Sequence, residues 1–140
     1  MQYLDPNRTF PARNDGFQSV IWQRVTINFN DAGIASAVQF GSIPQDAFIV
    51  FVIPDIETVF NAVTTNVLTI GTTQANANEL VAAGDVNEAA VGATSVTRGL
   101  GRSLTAAGDV GLWAKYTQTG TAATAGRATC VIGYIPPNSH

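Results

Sequence analysis

Apolar and polar side chains alternate along residues 19–30. Ile21, Val25, Ile27 and Phe29 share one parity, with Gln23 the exception, and Arg24, Thr26, Asn28 and Asn30 share the other. A period of two marks a strand with one face buried. Val20 and Trp22 fall on the polar parity and need a cover. Asn30, Asp31 and Gly33 supply a turn. Val38 and Phe40 then predict a short second strand, closed by Gly41 and Pro44.

Residues 47–60 make the strongest strand. Phe48, Val50, Val52, Ile56 and Phe60 form one set, and Ile49, Phe51 and Ile53 form the other, running on into Asp55 and Glu57. The first half is therefore apolar on both faces, and Pro54 calls for an edge, a bulge or a break. Residues 67–71 continue the strand pattern, with Leu68 and Ile70 inward. The Asn-, Ala- and Gly-rich stretch 72–90 predicts loop with one short helical turn over 79–83. Residues 94–100 read as a weak strand. In 110–117 Val110, Leu112, Ala114 and Tyr116 alternate with Gly111, Trp113, Lys115 and Thr117. Residues 118–126 are a small-residue loop. Residues 127–135 are the last strand, with Cys130, Ile132 and Tyr134 on one face and Pro136 and Pro137 ending it. About seven or eight short strands joined by turns predict an all-β fold, an antiparallel β-sandwich of jelly-roll type. No fixed-period repeat is present.

Residues 1–17 show no periodicity. Pro6 and Pro11 remove backbone donors and fix φ, so this stretch predicts an extended N-terminal arm ahead of one β-sandwich domain over 18–140. Its charged and aromatic members, Arg8, Phe10, Arg13 and Phe17, are types enriched in interfaces, and the arm is expected to be a partner contact.

Composition sharpens this picture. The 140 residues suffice for one ordinary domain. Only 12% are charged, and Lys115 is the single lysine, which argues against surface helices. The branched Thr and Val favour strands, while the alanines dissent. A net charge of −3 argues against a general nucleic-acid binder, which needs a basic patch. No run long enough for a membrane helix and no secretory leader is read, so the chain reads as soluble and made in a cytoplasm. One cysteine excludes an intrachain disulfide and fits a reducing compartment.

The same counts exclude most catalysis. The one histidine, His140, is terminal, so no base stands beside a nucleophile. Cys130 in an apolar strand reads as core. Asp55 and Glu57 read as solvated charges blunting a strand rather than as an acid–base pair. Asn76, Asn78, Glu79, Asp85 and Glu88 carry oxygens but do not match a Ca²⁺-binding loop. No enzyme activity, cofactor or metal is expected.

What remains is a surplus of apolar and forked basic groups. A two-layer sandwich buries one face of each sheet, which leaves Ile49, Phe51, Ile53 and Trp113, with Trp22, outside the core of a monomer. Such a patch marks an interface, unless the parity is the reverse of this reading or a loop or the N-terminal arm covers these residues. Arg98 and Arg102 flank Gly99-Leu100-Gly101 in the only basic cluster, which reads either as a plain β-turn or, because forked guanidiniums stand beside glycines, as a protein-contact loop.

Four segments carry a resemblance: Phe29-Asn30-Asp31-Ala32-Gly33-Ile34-Ala35-Ser36, Gly41-Ser42-Ile43-Pro44, the run Phe60 to Thr72, and Ala114 to Ala122. From Asn28 to Ile135 the chain resembles jelly-roll capsid cement (decoration) proteins of tailed bacteriophages, in size and sequence like that of a Bordetella podophage. The resemblance implies a virion location on the outer capsid surface. It further implies binding to an HK97-type major capsid protein and homodimers that tie neighbouring capsomers together. It carries over no site residue and implies neither a nucleic-acid nor a membrane partner. The competing function is a receptor- or carbohydrate-binding jelly-roll module of a tail or adhesin, for which Trp22, Trp113 and Tyr116 are the available aromatics.

Overall fold

The structure is a computed structural model that describes residues 20–101 and 108–136. Among the described residues seven strands run in chain order: β1 (Ile21–Asn28), β2 (Val38–Ile43), β3 (Phe48–Thr58), β4 (Thr65–Gly71), β5 (Gly92–Ala93), β6 (Val110–Thr119) and β7 (Arg127–Ile135). A single 3₁₀ turn, Ile34–Ser36, precedes β2. The N-terminal arm with Arg8, Phe10, Arg13 and Phe17, and also Arg102 and His140, lie outside the described residues.

The strands pair as two antiparallel sheets, one ordered β1-β7-β3-β5 and the other β2-β6-β4. First beside last beside third beside fifth, facing second beside sixth beside fourth, is the strand order of a jelly roll. The position beyond β4 holds a single antiparallel bridge, Ile70 to Val81. That bridge replaces the helical turn expected over 79–83. The weak strand expected over 94–100 does not form: only Gly92–Ala93, just before it, pairs as a strand, after which the backbone N–H groups of Thr94, Val96 and Gly101 reach β3.

Between the sheets lie Ile27, Val52, Ile56 and Ile132 from one side and Leu68, Ile70, Leu112 and Tyr116 from the other, all fully buried. The Tyr116 ring packs on Phe60 at 4.8 Å between centroids, tilted 46°. Its hydroxyl donates to Asn66 Oδ1, which also accepts the Ala62 N–H at 3.0 Å. Burial supplies most of the stability, and the hydroxyl finds the partner that a buried tyrosine requires.

The parity expected for β3 is half right, and the fault lies at one residue. The register with β7 slips between Ile49 and Phe51, so Val50 is an extra residue in a β-bulge. Before the bulge Ile49 points into the core, fully buried, and Phe48 points out, 43% exposed. After it Val52, Pro54 and Ile56 point in, and Phe51 and Ile53 point out. Ile49 is therefore a core residue and not part of an outward patch.

Pro54 sits inside a strand without breaking its main ladder. Its carbonyl accepts the Thr94 N–H at 2.9 Å, so its backbone faces away from β7. The donor that proline lacks would have pointed to the thin β5 side, where pairing is sparse.

Candidate functional site

The outer face of the four-stranded sheet is built from three strands in register. Trp22 on β1 and Phe51 on β3 both lie opposite Gly133 on β7, and Ile53 lies opposite Val131. Gly133 has no side chain, so the Phe51 ring lies across its backbone; a Cβ there would overlap the ring. Phe51 thereby reaches across one whole strand to Trp22, with ring centroids 4.3 Å apart and a 56° tilt. Trp22 nevertheless remains 61% exposed. The result is an apolar ridge of Trp22, Phe51 and Ile53 on a rigid sheet, bordered by Arg24 and the Glu57–Arg127 ion pair (3.0 Å).

The remaining expected contact residues lie elsewhere. Trp113 is half-buried on the outer side of β6, on the opposite face of the sandwich. Arg98 lies on the segment that crosses the β3 edge. Its guanidinium is engaged within the chain, Nε donating to Asp85 Oδ2 at 2.7 Å and Nη2 to Oδ1 at 3.0 Å. The hydrogen bond from Arg98 holds the Asp85 carboxyl below its ordinary value. The structure thus gathers Trp22, Phe51 and Ile53 and separates Trp113, Arg98 and the buried Ile49 from them. Tyr116, offered as a sugar-stacking aromatic, is buried in the core, and Trp22 and Trp113 face opposite directions. No platform for a glycan forms from these three.

The oxygens of the 72–91 loop have internal duties. Glu79 accepts from the Thr72 N–H (2.9 Å) and hydroxyl (3.0 Å), and the buried Glu88 accepts the Leu68 N–H at 2.9 Å. With Asp85 bonded to Arg98, these carboxylates brace the loop rather than converge, and no metal-holding cluster forms among the described residues. Cys130 is buried, and burial pushes its thiol up to about 12; a thiol so held is not a nucleophile. Two depressions among the described residues, about 440 Å³ beside Asp85 and Arg98 and about 410 Å³ beside Asn66 and Glu88, are open, without convergent reactive groups.

Sequence reasoning missed Gly133 and Phe48. For Gly133 a signal existed: a glycine inside an otherwise apolar strand marks a close approach by a neighbour. Phe48 was hidden by the bulge.

No protein-family model and no curated protein sequence matches the chain. Among solved structures it is similar to a chain of the cyanophage Pam1 capsid asymmetric unit, with a TM-score of 0.71 and 18% identity over 94% of this chain and 95% of that one. It is also similar to a chain of the capsid of Ralstonia phage GP4, with a TM-score of 0.59 and 22% identity over 94% of this chain and 93% of that one. The three share a fold along nearly their whole length.

Proposed function

We propose that this chain is a structural virion protein, a cement protein that seats on the outside of an HK97-type phage shell and clamps neighbouring capsomers as a homodimer. The observation that carries this reading is the end-to-end fold likeness to chains of two phage capsids. The ridge of Trp22, Phe51 and Ile53 supplies the contact surface, since an exposed apolar patch on a rigid sheet is the usual mark of a protein interface. Many identical sites on a shell give avidity, so each contact can be modest. The role requires no chemistry.

The test is co-sedimentation of the purified protein with isolated shells that lack it. Wild type should saturate the shells, and Phe51→Asp or Ile53→Asp should weaken binding at least tenfold while the β circular dichroism is kept. Because the ridge is apolar, binding should persist from about 0.1 to 1 M salt, where charge-steered contacts are screened. Absence of wild-type co-sedimentation contradicts the proposal.

A further inference from the structure

A β-sandwich has sheet edges whose backbone groups invite another strand, and in this molecule the edges are treated unequally. On β4 and the residue after it the outward N–H groups of Leu68, Ile70 and Thr72 are taken by Glu88, Val81 and Glu79 at 2.9, 3.0 and 2.9 Å. On β3 the carbonyls of Ile49, Val52 and Pro54 accept from Gly101, Val96 and Thr94 at 2.9, 3.0 and 2.9 Å. The β2 edge carries a bulge between Gln39 and Gly41, and Gln39 and Gln23 cover the carbonyls of Gly41 and Ser42.

The β1 edge differs. The Phe29 N–H donates to the Gly126 carbonyl at 3.0 Å in the same register as the β1–β7 pairing. Odd-numbered residues of β1 therefore bond to β7, and even-numbered ones aim N–H and C=O away from the sheet. At Asn28 both groups are capped by Asp31: the N–H donates to Oδ2 at 2.9 Å, and the carbonyl accepts the Asp31 N–H at 3.2 Å. Among the described residues nothing caps the outward groups of Trp22, Arg24 and Thr26, and all three residues are exposed. Among the described residues the edge is closed at one end and open along the rest.

We infer that β1 pairs antiparallel with β1 of a second copy, on a two-fold axis at Gln23, joining two four-stranded sheets into one. The side chains choose the occupant and the register. An axis at Arg24 would set two guanidiniums opposite each other, which is destabilising. An axis at Val25 would need the outward groups of Asn28, which Asp31 already holds. An axis at Trp22 would set Thr26 opposite residue 18, outside the described residues, and Trp22 opposite itself rather than opposite Arg24. The axis at Gln23 uses Val20, Trp22, Arg24 and Thr26 together. It places Arg24 of each copy opposite Trp22 of the other, a cation–π pairing made twice. It also places Ile21, 42% exposed despite its inward parity, opposite Val25 of the other copy. The segment Val20–Thr26 is thus complementary to itself in this one alignment. The outer ridges of the two copies then lie on one continuous face. This inference rests on the proposed homodimer only in taking the dimer as the working form; the shell contact through Phe51 and Ile53 is separate.

The test is cross-linking on the full chain. Residues 23 of the two copies would face each other as a non-hydrogen-bonded pair, with Cβ atoms about 4.5–5.5 Å apart, close enough for a disulfide. Under mild oxidation Gln23→Cys should give a covalent dimer, and Arg24→Cys should not. Arg24→Pro removes the outward N–H together with the guanidinium set opposite Trp22, leaves the β7 ladder whole, and should give a folded protein whose dimer dissociation constant rises at least tenfold by sedimentation equilibrium. Preferential cross-linking of Arg24→Cys overturns the register. A dimer indifferent to Arg24→Pro places the interface elsewhere, and a wild-type chain monomeric at all concentrations means that residues 1–19 or solvent occupy the edge; either result overturns the inference. A monomer that still binds shells would sink this inference and the homodimer with it, and leave the shell contact through Phe51 and Ile53 standing.

Discussion

The Trp22 and Phe51 rings, on strands that are not neighbours, meet at 4.3 Å because Gly133 lies between them. The exposed apolar ridge is therefore held in place by an absent side chain, and the glycine is a positioning element for two aromatics.

Gly133→Ala should consequently cost about 1–3 kcal/mol, the range for overpacking a filled site. Phe51 must swing off the strand and Trp22 loses its ring contact, so tryptophan emission should shift together with the urea midpoint. An unchanged midpoint and unchanged emission would mean that the ring does not lie across residue 133.

The two loop glutamates should differ from ordinary surface carboxylates. Glu88→Ala leaves the buried Leu68 N–H without an acceptor, a loss of about 1–3 kcal/mol. Glu88→Gln keeps an acceptor oxygen and should recover most of it. Equal urea midpoints for the two variants would contradict this role.

Much of the fold was legible in the pattern of the chain, and the exceptions have identifiable causes. The long strands announced themselves by alternation, as in Ile21–Asn28 and Val110–Thr119. Phe48 and Ile49 were misassigned because one inserted residue, Val50, reverses the parity of everything before it, and a bulge has no marker in an all-apolar run. The bridge at Val81 was missed because a strand reduced to one pair has no periodicity. Of the candidate site, Trp22, Phe51 and Ile53 were legible as an apolar surplus. That Trp113 lies on the opposite face and that Arg98 is spent on Asp85 are matters of strand order and loop path, which residue types do not encode.

The thiol of Cys130 gives a pH signature. Folding holds its pKa up to about 12, whereas an unfolded thiol ionises near about 8.5. Below that range both states carry the proton and nothing is gained or lost. As pH rises above roughly 8.5 the unfolded chain releases its proton and the folded chain does not, so stability falls, by up to ~1.4 kcal/mol per pH unit. Urea titrations of wild type and Cys130→Ala between about pH 8 and 11 should diverge by that slope, with the alanine variant flatter. Parallel profiles would contradict the burial of the thiol.

Tyr116→Phe removes the hydroxyl that donates to Asn66 while leaving the ring against Phe60. The expected cost is about 0.5–1.5 kcal/mol by urea denaturation. A neutral substitution would mean that this hydrogen bond contributes nothing beyond what water offers the unfolded chain.

The central claim is that the chain is a structural component of a phage shell. Quantitative mass spectrometry of purified phage particles from cells that produce the chain measures this most directly. The account predicts a copy number of the same order as that of the main shell subunit, released together with loss of head stability. Absence from the particle, or a few copies confined to the tail, would contradict it.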